Sequence, residues 1–534
     1  MKASYDVVVL GAGAAGCAAA RAIASTNPNA SVALVEQGPR AAAPSLMGVP
    51  LLQPYIPYMR KARPYLRLAA GVAEDNLGGR ALTYVRGQGL GGSALCNTMQ
   101  YVRPTAADMQ AWGDDQWRFA ALLPFFKALE GNTRGASDAH NDRGPLCVSD
   151  PGRSNVDSSI NVRFFEACEA AGIAYTADFN AGAACGFSSC QSLVRRGVRV
   201  DVFGALLERE QHRMPNLSVV TGTRAERLLF DGPRARGVRC VSGATARDVA
   251  AQEVVLCLGA LESPGCYCAA GSVPGRGGGP AGVAATSSKA RRWDLVFRIQ
   301  NSAGVCSKSL SLRNAGYLWR QWREYAEDHT GIFAALTEGL AFVQSRDTAG
   351  VAADLSVALY RTPHMGAAVR RPMDGLTLRL THHYPRSRGE VRLDPASGAV
   401  RVRSGLLTSR EDVVAMDEGV QWVGLLTSNE LRSVYYQTPS DRFVSPFHSY
   451  SLLLAHPARG LQTQRDTAAF LARHVVPGGD LYGTCALGRV VDPRLRVRGL
   501  EGVRVADSSV VPQPTVASSA VLGAAIGARV VDLL

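Results

Sequence analysis

Several familiar signals are missing from this 534-residue sequence. It has no uncharged apolar run of about 18 residues, so no transmembrane segment is expected. It has no Cys-x-x-Cys pair, and its twelve cysteines follow no regular framework, which argues against both a zinc site and a disulfide scaffold; no metal is expected. The net charge is +13, yet no block of about five consecutive basic residues occurs, so the arginines describe a generally basic surface and no nucleic-acid partner. None of the nine histidines lies beyond His474. The opening MKASYDVVVLGAGAAG runs straight into a strand and a glycine turn, and the final Asp-Leu-Leu is no targeting tripeptide. The expectation is an intracellular chain with no signal or transit peptide.

What is present points to an α/β architecture. The length exceeds one ordinary hydrophobic core, and 46% hydrophobic residues with 55 glycines suit a two-domain globular protein rich in tight turns. Tyr5 to Leu10 is a β-branched run suited to a strand buried on both faces. Gly11-Ala12-Gly13-Ala14-Ala15-Gly16 follows at once, then small residues of helical character to Ala24, then SVALVE ending at Glu36 beside Gln37. In this arrangement Gly11 permits the turn, Gly13 lets the backbone approach a pyrophosphate, and Gly16 lets helix lie on strand. Glu36 lies about 20 residues past Gly16, where a carboxylate accepts from an adenosine ribose. Dinucleotide binding follows from this order, with FAD and NAD unseparated.

The segment Tyr84-Val85-Arg86-Gly87-Gln88-Gly89-Leu90-Gly91-Gly92-Ser93-Ala94-Leu95-Cys96-Asn97 resembles the signature of the glucose-methanol-choline (GMC) oxidoreductases. QEVVLCLGALESP, containing Gly259, and VVDPRLRVRGLEGVRVADSSVVP, containing Asp507, are similar to later family blocks. The resemblance spans roughly residues 5–265 and 380–534 and implies FAD rather than NAD. It also implies cofactor contacts at Arg86, Gly91, Gly92, Ser93, Asn97, Gly259 and Asp507, alongside Gly11, Gly13, Ala14, Ala15, Gly16, Glu36 and Gln37. The implied architecture is a Rossmann-type FAD-binding domain with a parallel sheet and an inserted α+β substrate domain of mostly antiparallel sheet. Residues 1–290, with interspersed substrate-side segments, are assigned to the first, 291–470 to the second, and 471–534 to a C-terminal return to the first.

Three departures from the family pattern bear on chemistry. The family's catalytic histidine falls three residues before Gly483-Thr484, where this chain has Asp480, and the partner His or Asn position is Ser518. Cys96 stands where some members carry a flavin-linked histidine, which excludes a histidyl link; non-covalent FAD is expected. The stretch Gly271 to Arg292 reads as a loop. In GLTLRLTHHYP, strand alternation sends His382 and His383 to opposite faces, so at most one addresses a pocket; a satisfied or surface role is expected for both. Two readings stay open: an oxidoreductase acting on CH–OH groups of a small-molecule substrate through an atypical site, or a silent flavoprotein serving as a structural subunit for protein partners.

Overall fold

The computed structural model describes residues 1–39, 45–151, 159–182, 185–268, 284–288, 291–299, 314–345, 353–363, 374–394, 399–427, 452–456, 461, 463–478 and 481–534. Strand β1 (Ser4–Leu10), helix α1 (Ala14–Thr26) and strand β2 (Val32–Val35) arrive in the order the sequence predicts. β1 pairs in parallel with β2 on one side and with Ala250 to Leu256 of the strand Thr245–Leu256 on the other. Leu217–Val220 extends the parallel region beyond β2, Val503–Val505 adds to it from the C-terminal end, and an antiparallel meander, Arg224–Asp231 and Arg234–Ser242, completes a seven-stranded sheet. Val8, Val9 and Leu10 are fully buried, as a strand covered on both faces requires. Small residues let α1 lie close to this sheet and to the C-terminal helix Ser519–Arg529, whose Gly527 rests directly on the Ala15 backbone.

The substrate-side sheet is antiparallel throughout, in the order Leu452–His456, Arg291–Ile299, Gly375–His382, Leu355–Tyr360, Thr337–Val343 and Gly186–Ser189, with Val476–Pro477 beside Arg291–Ile299. Leu376, Leu378 and Leu380 point to one face and enter a core with Met416, Val420 and Val423 of the helix Arg410–Thr427. The opposite face is left for a cavity. A third sheet of six strands joins Leu66–Glu74 and Arg80–Gly87 to Gly389–Leu393, Val400–Arg403, Ala284–Ser288 and Leu481–Tyr482.

These sheets draw their strands from distant parts of the chain. Gly186–Ser189, within 1–290, joins the substrate-side sheet, and Gly389–Leu393, within 291–470, joins the third sheet. The loop expected over Gly271 to Arg292 is corrected in part: Ala284–Ser288 and the start of Arg291–Ile299 are strands. Their partners, such as Gly389 to Val391 and Thr381 to His382, lie about a hundred residues along the chain, so local composition carries no trace of the pairing. Residues 269–283 lie outside the described residues.

Candidate active site

One cavity of about 840 Å³ runs between the parallel sheet, the third sheet and the open face of the substrate sheet. That is within the ~300–1,000 Å³ typical of small-molecule and cofactor sites. Gly11, Gly13, Ala14, Ala15, Glu36 and Gln37 line one end, and Arg86, Gly92, Ser93 and Asn97 line its flank. Gly259, Asp507 and Ser518 line it too, whereas Gly16 and Gly91 stand behind the wall. Gly16 lies against the Gly11 carbonyl, and Gly91 (φ 99°) donates its amide to Ala12 O at 2.9 Å, locking the two glycine loops together. Asp480 lies outside the described residues.

The two acidic residues do more than the sequence shows. Glu36 Oε2 accepts from the Ala12 amide at 2.9 Å, and Oε1 accepts from the amides of Gly38 and Gly89 at 2.8 and 2.9 Å. One carboxylate therefore holds the first glycine turn against the second loop as well as facing the cavity. Asp507 Oδ2 accepts from the Gly259 amide (2.8 Å) and Ser263 Oγ (2.6 Å), and Oδ1 accepts from the Ser509 amide (2.8 Å). It anchors the C-terminal return to the turn after Thr245–Leu256.

Arg199 was not singled out from sequence. Its buried guanidinium donates from Nη1 to Ala94 O (2.9 Å) and Asn97 Oδ1 (2.8 Å), and from Nε to Met47 O (3.1 Å), so it clamps the loop carrying Ser93 and Asn97. Burial pulls its pKa down to about 10, which still leaves it charged at neutral pH. A distant arginine with no motif around it offers no sequence signal for this role.

Family profiles described as GMC oxidoreductase match residues 5–271 and 385–527. The chain belongs to the GMC oxidoreductase family. It is 28% identical over 526 residues to pyridoxine 4-oxidase of Microbacterium luteolum, covering 96% of each chain. To the oxygen-dependent choline dehydrogenase of Brucella suis it is 29% identical over 546 residues, covering 96% of this chain and 92% of the other. Formate oxidase of Aspergillus oryzae RIB40 superposes with a TM-score of 0.84 at 20% identity, covering 99% and 98% of the two chains. Pyridoxine 4-oxidase from Mesorbium loti superposes with a TM-score of 0.79 at 23% identity and the same coverage.

FAD is the cofactor of this GMC chain, and the cavity fits it. Helix α1 has Gly13 at its N-cap, with no side-chain cap and no acidic residue in its first turn, leaving its amides open to an anion. A Cβ at Gly13 or Gly259 would meet no protein atom within 4 Å, and both line the cavity, so the missing side chains leave space for a ligand. Gly11, Gly13, Ala14 and Ala15 would hold the pyrophosphate, with Glu36 and Gln37 beside the adenosine end. Ser518, at the other end, donates its hydroxyl to Gln100 O at 2.6 Å and its amide to Val102 O at 2.9 Å.

Proposed function

We propose that this GMC oxidoreductase oxidises a CH–OH group of a small organic molecule to the carbonyl, using FAD held without a covalent bond. The observation that carries the reading is the continuity of the cavity, which joins the glycine turn and Asp507 to a polar pocket on the substrate sheet formed by Ser356, Arg379 and His383. Val102, Phe342, Ala358, Tyr360 and Val516 supply apolar surface there and exclude water from the reacting centre. When bound, FAD supplies the acceptor for the C–H hydrogen with its electron pair. The chain must orient the alcohol and remove its hydroxyl proton. Arg379 is already committed, donating to Asp294 at 2.6 and 2.9 Å and to the Tyr360 hydroxyl at 3.1 Å. Burial opposes its charge, but Asp294 and Tyr360 outweigh burial and hold its pKa above the ordinary guanidinium value, so it stays a cation that polarises the pocket.

The test is anaerobic addition of pyridoxine, choline and benzyl alcohol to purified holoprotein. Bleaching of the visible flavin band by one of them is the expected result. A flavin that stays oxidised with every alcohol, in a protein that purifies with a stable partner, would replace this reading with a silent subunit.

The absence of a covalent link rests on Cys96. Burial pushes its thiol pKa up from the usual value, Arg199 and Arg86 opposing, and a protonated thiol is a poor nucleophile toward a flavin methyl position. Acid precipitation is therefore expected to leave all flavin absorbance in the supernatant. Flavin retained in the pellet, and released by Cys96→Ser, would show a thioether instead.

A further inference from the structure

The substrate-side wall has its own proton-handling pair. On the strand Gly375–His382 the even-numbered leucines enter the core, whereas Arg379, Thr381 and the following His383 line the cavity. The neighbouring strand Leu355–Tyr360 presents Ser356, Ala358 and Tyr360 to the same space, with Ser356 opposite Thr381 and Ala358 opposite Arg379. His383 Nε2 and Ser356 Oγ are 2.8 Å apart, and the His383 amide donates to Asp354 O at 2.7 Å. The imidazole also lies against Phe342, with ring centroids 5.5 Å apart. Phe342 shares a buried cluster with Val102 and Val516, which ties this wall to the segment carrying Ser518.

Chemistry singles out this pair. Among the described residues lining the cavity, His383 is the one histidine. Among the described residues, the other polar groups on its side are amides, hydroxyls and the paired Arg379, none of which takes a proton readily at neutral pH. Imidazole is the side chain that ordinarily exchanges a proton in the neutral range. Among the described residues, the charged and titratable groups around it include Arg379 and Tyr360 on the same face, Asp354 with His382 at 3.8 Å on the other, and Tyr384, which donates to Asp108 at 2.7 Å.

We propose that His383, with Ser356 as its hydrogen-bonded relay, takes the hydroxyl proton of the alcohol in place of the histidine that the family carries at position 480. This inference rests on the CH–OH reading above. Ser356 Oγ accepts the substrate proton as its own passes to His383 Nε2, which regenerates the serine hydroxyl and forms imidazolium. The C–H bond breaks with its electron pair leaving as hydride to FAD, and the C–O bond becomes C=O. Proton and hydride together account for the two hydrogens lost.

The experiment compares wild-type, His383→Gln and Ser356→Ala holoproteins, each checked first for FAD content and visible spectrum. With an alcohol that bleaches wild type, His383→Gln is expected to slow anaerobic reduction about 10²-fold or more, to lose the acid-side pH dependence, and to recover partly with added imidazole. Ser356→Ala is expected to slow reduction less. A second readout needs no turnover: sulfite, which adds reversibly to flavins as an anion, should bind wild type more tightly as the pH falls through the imidazole range, and His383→Gln should bind it without that trend. Wild-type reduction rate and pH profile in His383→Gln would overturn the proposal and turn attention to Asp480→Asn. If no alcohol reduces wild type, the CH–OH reading fails by itself; the sulfite titration then still decides whether His383 charges beside the flavin, and pH-independent binding overturns that.

Discussion

Gly16→Ala is expected to yield protein that purifies with little or no flavin and melts at lower temperature than wild type. A Cβ at position 16 would collide with the Gly11 carbonyl and come within 3.2 Å of the Cys257 side chain. The oxygen it meets is backbone, so no rotamer change relieves the clash. Nor can α1 slide away freely, because Ala15 in the same turn is pressed against Gly527 of the C-terminal helix. Overpacking of this kind costs about 1–3 kcal/mol or more. The displaced helix start carries the amides of Ala14 and Ala15 out of register with the cavity, and a loss of about 1.4 kcal/mol there is already tenfold in FAD affinity. Gly13→Ala is the informative contrast. Its Cβ meets no protein atom, so the apoprotein should melt like wild type while FAD binding weakens, because the methyl group occupies ligand space. Flavin-to-protein ratios and melting curves of the two variants check both statements. Full flavin content and an unchanged melting temperature in Gly16→Ala would falsify the packing argument.

The second large effect is expected from Glu130→Ala. Glu130 and Arg103 form a buried ion pair with side chains 0% and 1% exposed. Asn132 donates to Glu130 Oε1 at 2.5 Å, and His140 lies between Glu130 Oε1 and Asp178 Oδ2, 2.7 Å from each. Removing the carboxylate leaves the Arg103 guanidinium buried without its counter-charge, which costs about 3–5 kcal/mol. The consequence reaches the cavity, since Arg103 adjoins Val102, whose carbonyl accepts the Ser518 amide and whose side chain lines the substrate pocket. Replacing the pair together, Arg103→Met with Glu130→Leu, should cost much less than Glu130→Ala, because no lone charge is left behind. Equal losses in the single and double variants would argue against this account.

Asp178 gives the same network a pH signature. Burial raises its pKa, but His140, the Asn180 amide and Arg134 outweigh burial and hold it below the ordinary carboxylate value. A depressed native pKa contributes stability that is fully present above the unfolded value of about 3.9 and fades as pH falls through the native one. Asp178→Asn should therefore lower stability at neutral pH and flatten its decline in acid, as melting temperatures from pH 7 to 3 would show.

Local physics made the cofactor end of this molecule legible. The run from Tyr5 to Gly16 carries its strand, turn and helix in consecutive residues; Gly11 takes a positive φ, Gly16 lies against the Gly11 carbonyl, and Gly13 faces open ligand space. Likewise, alternation in GLTLRLTHHYP showed that His382 and His383 must part company. It did not show which of them meets the cavity, because that depends on where the helix Arg410–Thr427 lands on the sheet. The structure buries both: His382 sits near Asp354, and His383, expected to be merely satisfied, lines the pocket. Arg199 holding Asn97, Glu36 gathering three amides, and Gly186–Ser189 joining strands more than a hundred residues later are of the same kind. Neighbours along the chain settle periodicity, turns and helix starts. Pairing between distant segments is decided by which faces are left to bury and which backbone groups still need partners, and that emerges only when the whole chain has closed on itself.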